Sequence, residues 1–193
     1  MPAFSQPSYT FRRASVAEAG LIQYLRFASL LCLEMPSQSL QSVRTLMGGL
    51  PDVDAALIES GHYHVADLGG ELVGGGGWSV LPLGYRGQRL LEEDGEPGQL
   101  SLDNRTALLR GFFLDPDLGR RGVGQALLAH IEAEASGEGY RTLAIVGPAS
   151  SQVYYRSLGF RMEKKLTLVL DGGETLPVLQ MRKSLALRLV AAA

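Results

Sequence analysis

The chain has 193 residues, enough for one domain with a substantial buried core. Its 18 Lys and Arg against 20 Asp and Glu leave a net charge of −2, without the clustered basic surface that nucleic acid or an anionic membrane requires of a partner. One cysteine, Cys32, rules out an intramolecular disulfide. No apolar stretch reaches the length of a membrane span, and the N-terminus lacks the order of a signal peptide, so a cytoplasmic protein is expected.

Tyr9 to Arg13 reads as a strand. Ser15 with Glu18 three residues on gives the signature of a capping box, opening a helix that runs to about Cys32 through Leu21, Ile22, Leu25 and Leu30. Cys32, inside Leu30-Leu31-Cys32-Leu33, reads as a buried structural thiol. Further helices are expected over Ser39 to Met47 and Val53 to Glu59. A hairpin follows, with strands His62 to Leu68 and Glu71 to Leu81 about a Gly69-Gly70 turn. Four glycines, Gly74 to Gly77, point to a bulge or a close backbone approach in its second strand. His62 and His64 fall on one face of the first strand, with a surface or packing role.

Leu83 to Asn104 has no clear period and reads as a long loop, of the kind that forms lids. Thr106 to Leu114 is an apolar strand stopped by Asp115-Pro116-Asp117. Val123 to Ser136 is an amphipathic helix with Val123, Leu127, Ile131 and Ala135 on one stripe. Then come a strand (Arg141 to Val146), a short helix (Ser150 to Leu158) closed by Gly159, and two strands (Phe160 to Leu170, Leu176 to Lys183). The order implies a mixed α/β domain around one central sheet. The whole chain, 1–193, is expected to be one domain with its core over 9–183 and a tail at 184–193.

The turn Gly119-Arg120-Arg121-Gly122-Val123-Gly124-Gln125 sits between a strand and a helix. A helix start presents unpaired N–H groups and partial positive charge, and glycines let the backbone wrap an anion, so the turn suits a phosphate. It lacks the Gly-Lys-Ser/Thr of a P-loop and the third glycine of a dinucleotide fingerprint. Together with Glu71-Leu72-Val73-Gly74, Phe112-Phe113-Leu114-Asp115-Pro116 and Tyr154-Tyr155-Arg156-Ser157-Leu158-Gly159-Phe160, in that order and spacing, the chain resembles the GNAT superfamily of N-acetyltransferases from Tyr9 to Lys183. Gly119 departs from the family pattern, where Gln or Arg stands.

The resemblance implies a central, mostly antiparallel sheet with splayed central strands flanked by helices. It implies acetyl-CoA as co-substrate and no metal. The pyrophosphate would rest on Arg120, Arg121, Gly122, Val123, Gly124 and Gln125. The pantetheine would lie along Phe112, Phe113 and Leu114, with the amide of Phe113 or Leu114 polarising the thioester. Tyr155 matches the family's general acid for the departing thiolate, with Tyr154 as a packing neighbour. The amine of a small-molecule or peptide acceptor would attack directly in a ternary complex, and the C-terminal strand and tail could join two copies as a homodimer. No carboxylate lies in the Ala107 to Leu114 strand, so the base falls to Asp103, Glu92, Glu93, His64 or a water chain. Arg110 reads either as an anchor for an acidic acceptor or as a solvated edge charge, and Leu30, Leu31, Leu46 and Trp78 as either acceptor wall or core. The missing carboxylate keeps a second reading in play: an acyl-CoA-binding regulatory module with little turnover.

Overall fold

The structure, a computed structural model, describes residues 9–34, 43–44, 53, 55–80, 89–100, 102–118, 122–170 and 173–186. The described strands are β1 (Tyr9–Arg13), β2 (Tyr63–Leu68), β3 (Glu71–Ser79), β4 (Arg89–Leu91), β5 (Thr106–Leu114), β6 (Thr142–Pro148), β7 (Arg161–Val169) and β8 (Thr175–Ser184). The helices are α1 (Ala19–Glu34), α2 (Ala55–Glu59), α3 (Val123–Gly137) and α4 (Gln152–Ser157). The eight strands form one sheet in the order β1-β2-β3-β5-β6-β8-β7-β4. Every neighbouring pair is antiparallel except β5 with β6.

The helices cover two faces. On one, the stripe Val123, Leu127, Ile131 and Ala135 of α3 is at most 1% exposed and packs with Trp78, Leu109, Leu143 and Phe160. On the other, Ile22 of α1 and Leu57 and Ile58 of α2 pack with Tyr63, Val65 and Phe113. The entry to α1 is held as the sequence implies. Ser15 and Glu18 close a capping box around the 3-10 turn Val16–Glu18, and Glu18 also receives both Arg12 guanidinium nitrogens at 2.7 and 2.9 Å.

The glycine run of β3 is both a bulge and a close approach. The register slips between Gly75 and Gly77. A Cβ on Gly75 would come within 2.9 Å of the Tyr63 hydroxyl and 2.8 Å of the Phe113 ring. On Gly76 it would strike Phe112 at 2.7 Å and Ile131 at 3.0 Å. Glycine stands there because aromatic rings on both faces press onto the strand.

Two expectations are corrected. The stretch 83–104 is not structureless where it is described: β4 pairs with Val169 to Thr167 of β7 and closes the sheet's far edge, and Leu91 bridges to Pro97. A three-residue strand between Gln88 and Glu92 carries too little periodicity to be read from sequence. Cys32 is exposed, because α1 buries the face of Ile22, Arg26 and Ser29 and turns the cysteine away. β8 is hydrogen-bonded on both sides, to β6 and β7. The helix expected over 39–47 lies outside the described residues apart from Val43 and Arg44, as does the tail beyond 186.

Candidate active site

The parallel pairing of β5 and β6 covers Thr106↔Thr142, Ala107↔Leu143 and Leu108↔Ala144 and then stops, although β5 continues to Leu114 and β6 to Pro148. Each strand follows its other neighbour. β5 stays on β3 as far as Gly74↔Leu114, and β6 stays on β8 as far as Pro148↔Val178. The pairing ends at Leu108, and β5 then bulges at Gly111, whose φ of 58° lies in the left-handed region. The Tyr63 hydroxyl donates to the Gly111 carbonyl at 2.8 Å and pins the bulge. Tyr63 is fully buried, and that burial pushes its phenol pKa up, so it remains a donor throughout the neutral range.

The alternation of an antiparallel ladder then distinguishes two amides. The Asp115 amide donates to the Val73 carbonyl at 2.8 Å, so Asp115 and, two residues back, Phe113 turn their N–H groups towards β3. The Leu114 amide points the other way, into the gap. Of the two residues singled out for thioester contact, Leu114 has the suitable direction, while Phe113 is buried with Ile22 and Tyr63.

The start of α3 lies beside the same gap. Gly122 is its N-cap, with φ 77° and no side-chain cap bond, so the amides of Val123, Gly124 and Gln125 have no intrahelical acceptor. A Cβ on Gly122 would meet nothing within 4 Å, which leaves the approach open. Val123 is buried in the core and Gln125 is exposed. Gly124 has a different reason to be glycine from the expected one. A Cβ there would meet Leu114 Cδ1 at 2.5 Å and the Tyr154 hydroxyl at 2.7 Å, so the position is filled by the chain's own side chains. Gly119, Arg120 and Arg121 lie outside the described residues.

α4 brings the two tyrosines. Tyr155 packs between Tyr154 and Phe160, at ring distances of 5.4 and 5.7 Å, and its ring edge lies 3.8 Å from a Cβ placed on Gly147 of β6. Burial, reinforced by Tyr154, pushes the Tyr155 phenol up, and the Arg26 charge opposes the shift. Tyr154 bridges from α4 to the α3 start, with Phe112 at 6.4 Å, and burial pushes its phenol up to about 12. Tyr154 thus borders the α3 start, a place the sequence did not give it.

None of the base candidates reaches the gap. Asp103 accepts from the Thr106 hydroxyl at 2.7 Å and the Arg105 amide at 2.9 Å, at the opposite end of β5, and those bonds hold its carboxyl low. Glu92 pairs with Lys164 at 2.9 Å and Glu93 with Lys165 at 3.3 Å, on the far edge of the sheet. His64 is buried beneath α3 against His130. His62 and His64 do share the α3 face: His62 stacks on Trp78 at 4.0 Å and meets Glu138 at 3.1 Å. Trp78 is therefore core and not acceptor wall. Arg110 is 5% exposed, so it is not a solvated edge charge. Among the described residues no group of three or more His, Cys, Asp and Glu is placed to hold a metal ion, and no helix is long and apolar enough to cross a membrane.

The profile described as Acetyltransferase (GNAT) family matches residues 29–160, more than half of the chain. The chain belongs to the GNAT acetyltransferase family. It is an acetyl-CoA-dependent acyltransferase, of a family whose acceptors are small molecules or peptides. Solved structures share its fold. The PaiA N-acetyltransferase of Thermoplasma acidophilum, in complex with coenzyme A, is 15% identical over 92% of this chain and 99% of its own, with a TM-score of 0.62. The yncA protein of Salmonella typhimurium, solved with acetyl-CoA, is 17% identical over 96% and 99%, with a TM-score of 0.59. The ribosomal-protein-alanine N-acetyltransferase of Brucella melitensis is 18% identical over 91% and 99%, with a TM-score of 0.58. A comparison with curated proteins finds no match. The open turn at Gly122, its uncapped amides and the inward Leu114 amide fit a GNAT protein's acetyl-CoA.

Two buried residues escaped the sequence reading. Tyr63 reads there only as an aromatic in a strand. Arg26 drew no reading, and its spacing of four from Ile22 is the signal that it faces inward.

Proposed function

We propose that this chain forms one acetyltransferase domain, working in the cytoplasm, that moves the acetyl group of acetyl-CoA to a primary amine of a small-molecule or peptide acceptor by direct attack in a ternary complex. The observation that carries the reading is the parting of β5 from β6 beyond Leu108, with the Leu114 amide, the α3 start and Tyr155 around the gap. In this reading the amides of Gly122 to Gln125, with Arg120 and Arg121, hold the pyrophosphate. Phe112, Phe113 and Leu114 flank the pantetheine, and the Leu114 amide stabilises charge developing on the thioester oxygen. Tyr155 stays protonated at neutral pH, so its hydroxyl is available to hydrogen-bond the departing thiolate and pass it a proton, the raised pKa keeping the phenol in its acid form while making it a weaker acid than the thiol. Proton removal from the amine falls to water.

A thiol-release assay across amino acids, polyamines, aminoglycosides and peptides tests the proposal. Release with at least one amine class, matched by the acetylated product, is the expected result. The placement of all four named base candidates away from the gap favours one alternative, an acyl-CoA-binding regulatory module. Tight acetyl-CoA binding without release from any class would establish it instead.

A further inference from the structure

β7 carries one irregularity. Its register with β8 shifts between Met162 and Lys164, which makes Glu163 the extra residue of a bulge. A bulge re-aims the side chain it carries. Here Glu163 turns back over β8, where Gln180 Nε2 donates to its Oε2 at 2.7 Å and Arg182 Nε lies 2.7 Å from the same oxygen. Gln180 is fully buried, so the amide that fixes this carboxylate has one rotamer to offer. Oε1 takes no bond from any described residue, and the Glu163 side chain is 28% exposed. One carboxylate oxygen is anchored and the other is presented.

Sheet register places this group beside the gap. Leu179 and Met181 of β8 pack on the α3 face, so Gln180 and Arg182 point to the opposite one, where Val146 of β6 packs with Val178. Gln180 is the register partner of Val146, two residues past Ala144, where β6 loses β5. The carboxylate therefore sits one strand spacing, about 4.8 Å, from the strand that edges the gap. One water spans that distance, because two hydrogen bonds of about 2.8 Å each cover it. The charged groups around Glu163 are Arg182, Arg161 across from Arg182, Lys164, Arg110 of β5, Glu92 and Asp103. Glu92 is committed to Lys164 at 2.9 Å, and Asp103 to Thr106 at 2.7 Å.

In the reading above acetyl-CoA lies on the α3 face, and the acceptor amine meets the thioester from the other. We propose that Glu163 is the base of the transfer, taking the amine's proton through one bridging water. The amine nitrogen bonds to the carbonyl carbon and the carbon–sulfur bond breaks. The surplus proton on nitrogen passes through the water to Glu163 Oε1, while Tyr155 gives a proton to the leaving sulfur. Glu163 then releases its proton to solvent, and solvent restores that of Tyr155. Gln180 is a positioning residue, holding Oε2 so that Oε1 faces the water. The inference rests on the acetyl-transfer reading and names where the proton goes after water has removed it.

The test follows kcat against pH in the thiol-release assay, from about pH 6 to about pH 9, for the full chain, Glu163→Gln and Glu163→Asp. The amine is one that the unaltered chain acetylates, at saturating concentration. Acetyl-CoA-induced thermal stabilisation reports folding and cofactor binding. Glu163→Gln should lower kcat by about 100-fold at neutral pH, the low end of what a placed base contributes, with acetyl-CoA affinity unchanged. The loss should shrink as pH rises and hydroxide takes over the proton. Glu163→Asp should keep part of the rate. An unchanged kcat in Glu163→Gln overturns the inference while leaving acetyl transfer intact. So does a loss of equal size at every pH, which is the mark of a structural ion pair. If the Gln variant does not fold, the Asp variant decides: a loss that shrinks with pH supports the base, and no loss or a uniform one counts against it. No release from any amine by the unaltered chain overturns the acetyl-transfer reading and this inference with it.

Discussion

Nδ1 of His64 on β2 and Nε2 of His130 on α3 lie 3.0 Å apart, with the Phe11 ring stacked on His130 at 5.5 Å. Such a bond needs one donor and one acceptor nitrogen, so it tolerates at most one charged ring. Burial first, and then His130, lowers the His64 pKa to about 4; Arg13 and His62 push the same way and Glu134 opposes them. The folded pKa is below the unfolded value of about 6.5, so the unfolded chain binds the extra proton first as pH falls. The pair's contribution is complete above about pH 6.5 and is lost on the way to pH 4. Urea unfolding should therefore show roughly 2 kcal/mol less stability at pH 5 than at pH 7 from this group. His64→Gln should flatten that difference. A wild-type curve level across the interval would contradict the burial of a neutral His64.

The bulge at Gly111 gives a second expectation. A Cβ there would collide with Val53 and come within 3.1 Å of the Tyr63 ring, at a φ of 58° that disfavours any side chain. Gly111→Ala should cost about 2–4 kcal/mol by strain and overpacking together. Tyr63→Phe should cost about 1 kcal/mol, the worth of its bond to the Gly111 carbonyl. Chemical denaturation of both variants checks the order. If Tyr63→Phe proved the costlier, the hydroxyl would be holding more than the bulge.

The sequence carried the strongly periodic elements well. β1, β5 and α3 lie where period and breakers put them, and the capping box at Ser15 is formed as written. The gap between β5 and β6 was legible through family motifs, and not through any property of either strand alone. What failed to show was tertiary. β4 exists because β7 offers it an edge, which no local pattern encodes. The burial of Arg26 and Arg110 comes from elements packing on the sheet, which neither residue's local sequence shows. Gly124 looked reserved for phosphate, but Leu114 and Tyr154 already occupy the space a side chain would need.

The two tyrosines of α4 should separate by kinetics. Tyr155→Phe removes the proposed acid and should lower kcat by at least about tenfold while acetyl-CoA affinity holds. Because burial raises its pKa, wild-type kcat should not fall through pH 9 from Tyr155 ionisation. Tyr154→Phe removes a hydroxyl that hangs over Gly124 at the α3 start. It should weaken acetyl-CoA binding by about 3- to 10-fold, the scale of one hydrogen bond, with a smaller change in kcat. Calorimetric affinities beside steady-state rates distinguish the cases. Equal losses in both parameters for Tyr155→Phe would mark it as a packing residue.

Stability and binding at the α3 start are predicted to move in opposite directions on one substitution. Gln125 is exposed in the first turn, and the helix has no side-chain cap. A carboxylate there interacts favourably with the positive end of the helix, by about 0.3–1 kcal/mol at low salt. The same carboxylate competes with a pyrophosphate for those amides and repels its charge. Gln125→Glu should therefore raise the Tm slightly and weaken acetyl-CoA binding by about tenfold or more at low ionic strength, with the loss shrinking as salt rises. Gly124 cannot make this distinction, since its substitution disturbs Leu114 and Tyr154 as well. Unchanged acetyl-CoA affinity in the stabilised Gln125→Glu protein would remove the pyrophosphate from this turn.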